Sequence, residues 1–433
     1  MASYGVVCPS EAGHLLSVGG LGAELVRRGH RVVLLSGPDA AQMAGELNLE
    51  FHEMTFGDPP DARNRAVRMV MGAVGAGPYL GQGNWFLWLA QVLLNQLPAA
   101  LESLALDGLI VDEAELAAGT VAEYMGYPFV TVCSGLPWHE EAGIPPVYVN
   151  WQATPGRLAR LRNRIAYAGL RWQFGPTLGV INRRRADWGL PRLRHIDETY
   201  SPLAQLAQLC RELDFPRKEL PDVFHYVGPL TTNRRQPDHG FPWDRLDGRR
   251  LIYASVGTMA DSRNLATIRK ILAACADVDA QLVVGLGKWA GHRGVRGLDE
   301  LGDIPGNPVL VDYAPQLAVL EKADLLITHA GINTVNEALS LGVPILALPR
   351  IGDQMGTAAR IEAAGVGLMG SFNKSTPGEI RALVDRLLSE DRFRIRARAL
   401  QQATAQSGEV RGAADIVEQA LATGRPVYRQ PRA

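Results

Sequence analysis

The chain has 433 residues, 47% of them hydrophobic and 21% charged, with a formal net charge of −1. That length predicts two or three domains, and the composition is that of an ordinary globular fold. The near-neutral charge gives no electrostatic reason to expect a nucleic-acid partner, and the four scattered cysteines (Cys8, Cys133, Cys210, Cys275) form no metal-binding or disulfide pattern.

In chain order, the N-terminus lacks the basic start and apolar core of a signal peptide. The longest apolar run, residues 85–94, is broken by Gln91 and is shorter than the roughly 20 residues of a membrane span. Both features predict a cytoplasmic protein. Gly5-Val6-Val7-Cys8 reads as a first strand ending in a polar turn that carries His14. A helical stripe follows over 18–28, with Leu21, Leu25 and Val26 on one face. Strands follow at 31–35, 108–112 and 128–132, with a helix at 117–125. Short β-branched runs without polar alternation suit strands covered on both faces, hence a parallel sheet under helices. The pattern restarts at 250–257 and continues with a helix at 265–276 and strands at 281–285, 308–311, 323–328 and 343–348.

Two doubly wound α/β units are therefore expected, with ligands at the carboxyl ends of their strands. The first spans 1–230 and the second 250–411, joined by a linker at 231–249 whose Thr231-to-Gly240 stretch is exposed in character. A helix over 412–422 and a loose Pro/Arg tail complete the chain at 412–433.

The stretch THAGINTVNEAL, residues 328–339, reads as a buried strand, a glycine-containing turn and a helix starting near Asn333. Free N–H groups and the positive dipole end of such a helix seat phosphate. His329 and Thr334 add donors, and Gly331 lets a ligand approach the backbone. Thr334-x-x-Glu337 equally fits a helix capping box; alternatively, Glu337 accepts from ribose hydroxyls. One strand later, Asp353-Gln354 forms an acceptor-rich pair suited to sugar hydroxyls. Strand-end loops meet at the crevice, so Asp353 and His329 are expected to face one cleft.

Tyr313-Ala314-Pro315-Gln316, His329-Ala330-Gly331-Ile332-Asn333-Thr334, Glu337 and Asp353-Gln354 together resemble the donor signature of UDP-sugar-dependent family 1 glycosyltransferases. Arg28-Gly29-His30, Tyr226-Val227-Gly228-Pro229-Leu230 and Ser255-Val256-Gly257-Thr258 fall in the same order, and the bacterial macrolide and zeaxanthin branch is the nearest in flavour. The resemblance implies the GT-B fold: two facing Rossmann-like domains, the acceptor on the first and the nucleotide sugar on the second. It further implies Tyr313 stacking on the base, where the family has tryptophan. Gln316 and Glu337 would contact ribose, His329, Asn333 and Thr334 phosphate, and Asp353 and Gln354 the sugar. Gly257, Thr258, Ala314 and Gly331 complete the expected donor set.

In this family the histidine of the first turn, here His14, is the general base. Asp112, at the end of its strand, is placed to bond the other ring nitrogen and fix the tautomer; its alternative role is to cap a following helix. Direct displacement would invert the anomeric carbon. No metal is expected, since Asp277-Val278-Asp279 lies at the wrong end of its strand. Met71, Trp85, Trp88 and Trp138 are candidates for an apolar acceptor pocket, although core packing explains such residues equally well. A carotenoid, terpenoid, polyketide or flavonoid would suit them.

Residues 151–196 hold ten arginines against one acid, Asp187. Arg157, Arg160, Arg164 and Arg171 share one helical face, with Leu158, Leu161, Ile165 and Trp172 on another. Two readings stay open: a solvated face beside the cleft, or a basic amphipathic helix resting on anionic lipid across 157–185. Rival functions are a UDP-sugar epimerase of the same fold and a non-catalytic nucleotide-sugar binder. A dinucleotide oxidoreductase is disfavoured because no GxGxxG follows a first strand.

Overall fold

The computed structural model describes residues 1–54, 80–231, 240–257, 262–287, 301 and 304–429. Its first sheet contains β1 (Ser3–Val7), β2 (Arg31–Ser36), β3 (Glu50–Glu53), β4 (Gly108–Asp112), β5 (Phe129–Cys133), β6 (Gln205–Ala207) and β7 (Phe224–Tyr226). Their order is β3-β2-β1-β4-β5-β6-β7. The second contains β8 (Leu251–Ser255), β9 (Gln281–Gly285), β10 (Val309–Val311), β11 (Leu325–Thr328), β12 (Ile345–Ala347) and β13 (Gly367–Met369), in the order β10-β9-β8-β11-β12-β13. Every pairing is parallel. Central strands such as GLIVD and FVTVC are buried along their whole length, as apolar runs covered on both faces must be.

In each sheet the strand order reverses once, at β1/β4 in the first and β8/β11 in the second. Such switch points open a crevice at the strand carboxyl ends. The first lies beside His14 and Asp112, the second beside Gly257 and His329.

The helix after β1 runs Ala12–Arg27, starting before the apolar stripe that marks it in the sequence. His14 therefore stands in the first helical turn rather than in a turn ahead of it. Ala12-Gly13-His14 carries no apolar period, so the pattern first shows at Leu15. Gly19 lets this helix lie close to its neighbour, since a Cβ there would stand 2.7 Å from Leu47 Cδ1.

The last helix, Glu409–Thr423, crosses back onto the first domain, where Ala413, Ala414, Val417, Ala420 and Leu421 join the core containing Val6, Leu21 and Ile110. Arg28 bonds Asp415 and Glu418 at 2.6 and 2.7 Å, and His30 bonds Glu418 at 2.8 Å. The Arg28-Gly29-His30 stretch thus anchors the C-terminal helix. The following tail, expected to be loose, is held as far as 429. Val427 donates to the Leu203 carbonyl and accepts from His225, and Arg429 pairs with Asp222.

One apolar cluster crosses the domain boundary, joining Leu136, Val147 and Leu209 to Ala330, Ile332, Val335 and Ala358. At its edge the N–H of Gly356 donates to the Val147 carbonyl at 3.0 Å. A Cβ on Gly356 would stand 2.4 Å from that oxygen, so only glycine permits the approach. Beside it, buried Asp214 of the first domain accepts from Arg217 at 2.9 Å and from Arg360 of the second at 2.7 Å. Burial alone would raise the Asp214 pKa; the two guanidiniums hold it at about 2. The domains are therefore tied by apolar contact and by a buried ion pair.

Candidate active site

His14 stands in the first turn of the helix that follows β1, and Asp112 ends β4, the strand paired with β1. The imidazole Nδ1 lies 2.9 Å from Asp112 Oδ2 and 2.8 Å from Ser134 Oγ. Asp112 is fully buried, and its other oxygen accepts the N–H of Ala114 at 2.8 Å. The next helix, Ala118–Met125, has Ala117 at its N-cap, so Asp112 does not cap it. With Nδ1 engaged, Nε2 is the nitrogen left for an incoming proton, and 31% of the side chain remains open. Burial works against the imidazolium, but Asp112, with Glu11 and Glu113 behind it, outweighs burial and pushes the pKa up to about 10.

In the second domain β11 ends at Thr328 and the helix Ile332–Ser340 begins four residues later. Ala330 makes that turn at φ +67, a left-handed conformation that costs a non-glycine residue about 1–2 kcal/mol. The His329 ring packs between two glycines. A Cβ on Gly257 would stand 3.0 Å from the ring, and one on Gly331 2.6 Å from Nε2. Burial, then the charge of Arg350, lowers the His329 pKa to about 4, so the ring is neutral at pH 7.

The helix N-cap is Gly331, with no side-chain cap. Thr334 and Glu337 lie inside the helix, so their spacing does not make a capping box. Gln316 Nε2 instead donates to Glu337 Oε2 and, at 3.3 Å, to Thr334 Oγ1, while the Tyr253 hydroxyl donates to Gln316 Oε1 at 3.3 Å. Burial raises the Glu337 pKa to about 7, against the Gln316 hydrogen bond. Half-buried Tyr313 lies close enough to Glu337 to feel its charge, and Ala314 is buried near Gly285. Thr258 lies outside the described residues.

Asn333, expected at a phosphate, is engaged across the domain boundary. Its Nδ2 donates to the Gly13 carbonyl at 2.8 Å, and its Oδ1 accepts from Gln208 Nε2 at 2.8 Å. Asp353 also reaches across: a Cβ on Gly135 would stand 2.9 Å from its Oδ2. Burial raises the Asp353 pKa, while the charge of His14 and the N–H of Leu136 pull it back. Asp353 is thus electrostatically coupled to His14. Gln354 Oε1 accepts the N–H groups of Arg350 and Ile351, each at 3.0 Å, so that oxygen organises the loop itself.

A small cavity of about 50 Å³ in the first domain is lined by Trp138, Tyr148, Tyr167 and Phe174 together with the charged Glu140, Arg171 and Asp197. Trp138 stands four residues beyond Ser134, on the loop that leaves β5. Trp85 and Trp88 instead sit half-buried against the neighbouring core, and Met71 lies outside the described residues. Sequence reasoning missed Ser134, Gln208 and Tyr253. Ser134 follows β5 as Asp353 follows β12, so the strand-end rule could have found it. Asp277 and Asp279 lie in the turn before β9, away from the crevice.

The chain has close relatives of similar length. It is 33% identical to a zeaxanthin glucosyltransferase of Pantoea ananas, over 99% of this chain and 98% of that protein. A second zeaxanthin glucosyltransferase, from Pseudescherichia vulneris, is 33% identical over 99% of this chain and 100% of its own length. The 4'-demethylrebeccamycin synthase of Lentzea aerocolonigenes is 27% identical over 94% and 96% of the two chains. Among solved structures, the kitacinnamycin glycosyltransferase superposes with a TM-score of 0.75 at 24% identity, covering 96% of this chain and 98% of that one. The calicheamicin glycosyltransferase does so with a TM-score of 0.72 at 21% identity, covering 98% and 100%. These neighbours share the GT-B arrangement of two Rossmann-like domains. Residues 193–402 match the family described as "UDP-glucoronosyl and UDP-glucosyl transferase". With the near full-length relatives, this match shows that the chain belongs to that family of glycosyltransferases.

Proposed function

We propose that this glycosyltransferase moves a hexose, glucose, from UDP to a hydroxyl of a lipophilic small molecule, with inversion at the anomeric carbon. The observation that carries this reading is the His14–Asp112 pair at 2.9 Å, held at the first switch point with Asp353 of the other domain within its field. An alcohol is a poor nucleophile until its proton begins to leave, and His14 Nε2 takes that proton. The acceptor oxygen bonds to the anomeric carbon as the bond from that carbon to the phosphate oxygen breaks, and UDP leaves with the electron pair. Asp112 stabilises the imidazolium formed at His14, while Ser134 fixes the ring's orientation.

On the donor side, the N-terminus of the helix Ile332–Ser340, with His329 and Thr334, receives the diphosphate charge. No metal is assigned a part. Gln316 and Glu337 hold ribose, Tyr313 stacks on the base, and Asp353 with Gln354 faces the sugar. The relatives named for zeaxanthin support a large apolar acceptor, a carotenoid or another natural-product alcohol or phenol.

Calorimetric titration with UDP, UDP-glucose, dTDP-glucose and NAD tests the donor assignment. Binding of UDP and UDP-glucose without NAD is the expected result. Preference for dTDP-glucose would replace the donor, and NAD binding alone would remove the reading.

A further inference from the structure

We infer that the outward face at the start of the helix Arg157–Asp187 is a seat for the surface of an anionic lipid bilayer. Ordinary surface helices bury one apolar face and solvate the other. This one buries Asn163, Tyr167, Phe174, Thr177 and Ile181. It also carries a second apolar stripe: Leu158 is 84% exposed, Leu161 55%, Ile165 65% and Trp172 73%. At about 3.6 residues per turn, spacings of three, four and seven put these four on one line, on the side away from Tyr167 and Phe174. The described residues include ten exposed large hydrophobics, and four of them lie on this single face. Leu158, Leu161 and Ile165 join Trp151, Arg162 and Ala166 around a shallow apolar depression.

The charges beside the stripe decide what covers it. Arg157, Arg160 and Arg164 are exposed, and among the described residues none of them has an acidic partner. By contrast Arg171 pairs with Glu140, and Arg162 stacks on Trp151 at 4.3 Å. A second copy docked about a twofold axis would set the same arginines against one another. An anionic headgroup layer neutralises them while the apolar stripe sinks into the acyl boundary. No described helix is long and apolar enough to cross a membrane, so the contact is peripheral. The opposite side of the same helix, through Tyr167, Leu170 and Phe174, lines the Trp138 cavity. One helix thus joins the bilayer seat to that cavity, whatever the acceptor is.

The test is flotation of the full chain with vesicles of phosphatidylcholine alone or mixed with phosphatidylglycerol, at low and high salt. Three proteins are compared: wild type, Leu161→Asp/Ile165→Asp, and Arg157→Gln/Arg160→Gln/Arg164→Gln. Wild type is expected to float with the anionic vesicles only, and to be released by salt. The arginine variant should bind about a hundredfold more weakly, at about fivefold per charge removed. The aspartate variant should not float. Both variants should keep the wild-type melting temperature. Equal flotation with neutral vesicles, or unchanged binding by both variants, overturns the proposal. So does a wild-type dimer in sedimentation that Leu161→Asp/Ile165→Asp dissociates without any vesicle binding; the face would then be a contact between copies.

Discussion

The side-chain amide of Asn333, in the second domain, donates to the backbone carbonyl of Gly13 in the first at 2.8 Å. Gly13 immediately precedes His14, and Asn333 stands in the first turn of the helix assigned to the donor diphosphate. This hydrogen bond joins the segment of the proposed base directly to that helix, beside the apolar cluster and the Asp214–Arg360 pair that hold the domains together. Gln208 supports the bond from behind, bonding Asn333 Oδ1 at 2.8 Å.

Asn333→Ala removes that link between the domains, while the Gly13 carbonyl keeps the Ser17 hydroxyl as a donor at 3.3 Å. Misplacing reacting groups by about 1 Å costs on the order of a hundredfold. The expected outcome is a kcat lower by about ten- to a hundredfold, with the calorimetric Kd for UDP changed by less than about threefold. A large loss of UDP affinity would instead return Asn333 to the phosphate.

The charge on His14 sets the pH dependence. Its folded pKa of about 10 lies above the ordinary 6.5, so the base form grows as pH rises. kcat/KM should climb from neutrality and level off near pH 10. Asp112→Asn should move the bend toward neutrality and lower the plateau by up to about 10⁴-fold, the cost of losing the orienting carboxylate in a serine-protease triad. For stability the sign is opposite: the His14–Asp112 attraction contributes fully below about pH 6.5 and fades as pH rises through 10.

Glu337, raised to about 7 by burial, changes charge in the working range. As a ribose acceptor it binds best ionised, so UDP affinity should rise between pH 6 and 8. Glu337→Gln should flatten that dependence and weaken binding by about tenfold, the scale of one hydrogen bond to a charged group. Because Glu337 does not cap its helix, the variant's melting temperature should stay close to wild type.

The Asp214–Arg360 ion pair ties the two domains, with Arg217 of the first domain on the other carboxylate oxygen. The depressed pKa of about 2 means that their contribution is present above about pH 4 and is lost as pH falls toward 2. Asp214→Asn should cost about 3–5 kcal/mol in urea denaturation at pH 7, the penalty for stranding buried guanidiniums. Wild type and variant should converge at acid pH.

Much of this fold is legible in the sequence, and the reasons are specific. GLIVD and QLVVG are apolar runs buried on both faces, and they announce β4 and β9 at their observed bounds. β3 reads EFHE, a polar edge strand, and β6, β7 and β13 are three residues each, too short to show a period. The meeting of His14 with Asp112, 98 residues apart, follows from the strand-end rule applied to neighbouring strands. The bond from Asn333 to Gly13 spans 320 residues and depends on how the two domains face each other. No local pattern encodes that, so a residue expected at phosphate turned up between the domains. The exposure of Leu158 and Ile165 was hidden for a similar reason. A helix with two apolar stripes looks the same in sequence whichever stripe turns inward.

The most direct test of the central claim is sugar transfer from UDP-glucose to a lipophilic alcohol by His14→Ala, measured beside the calorimetric Kd for UDP-glucose. The account predicts a loss of transfer of at least about 10²–10⁴-fold, the contribution of a general base, with donor affinity within about threefold of wild type. Transfer at the wild-type rate, or donor binding lost together with transfer, would contradict it.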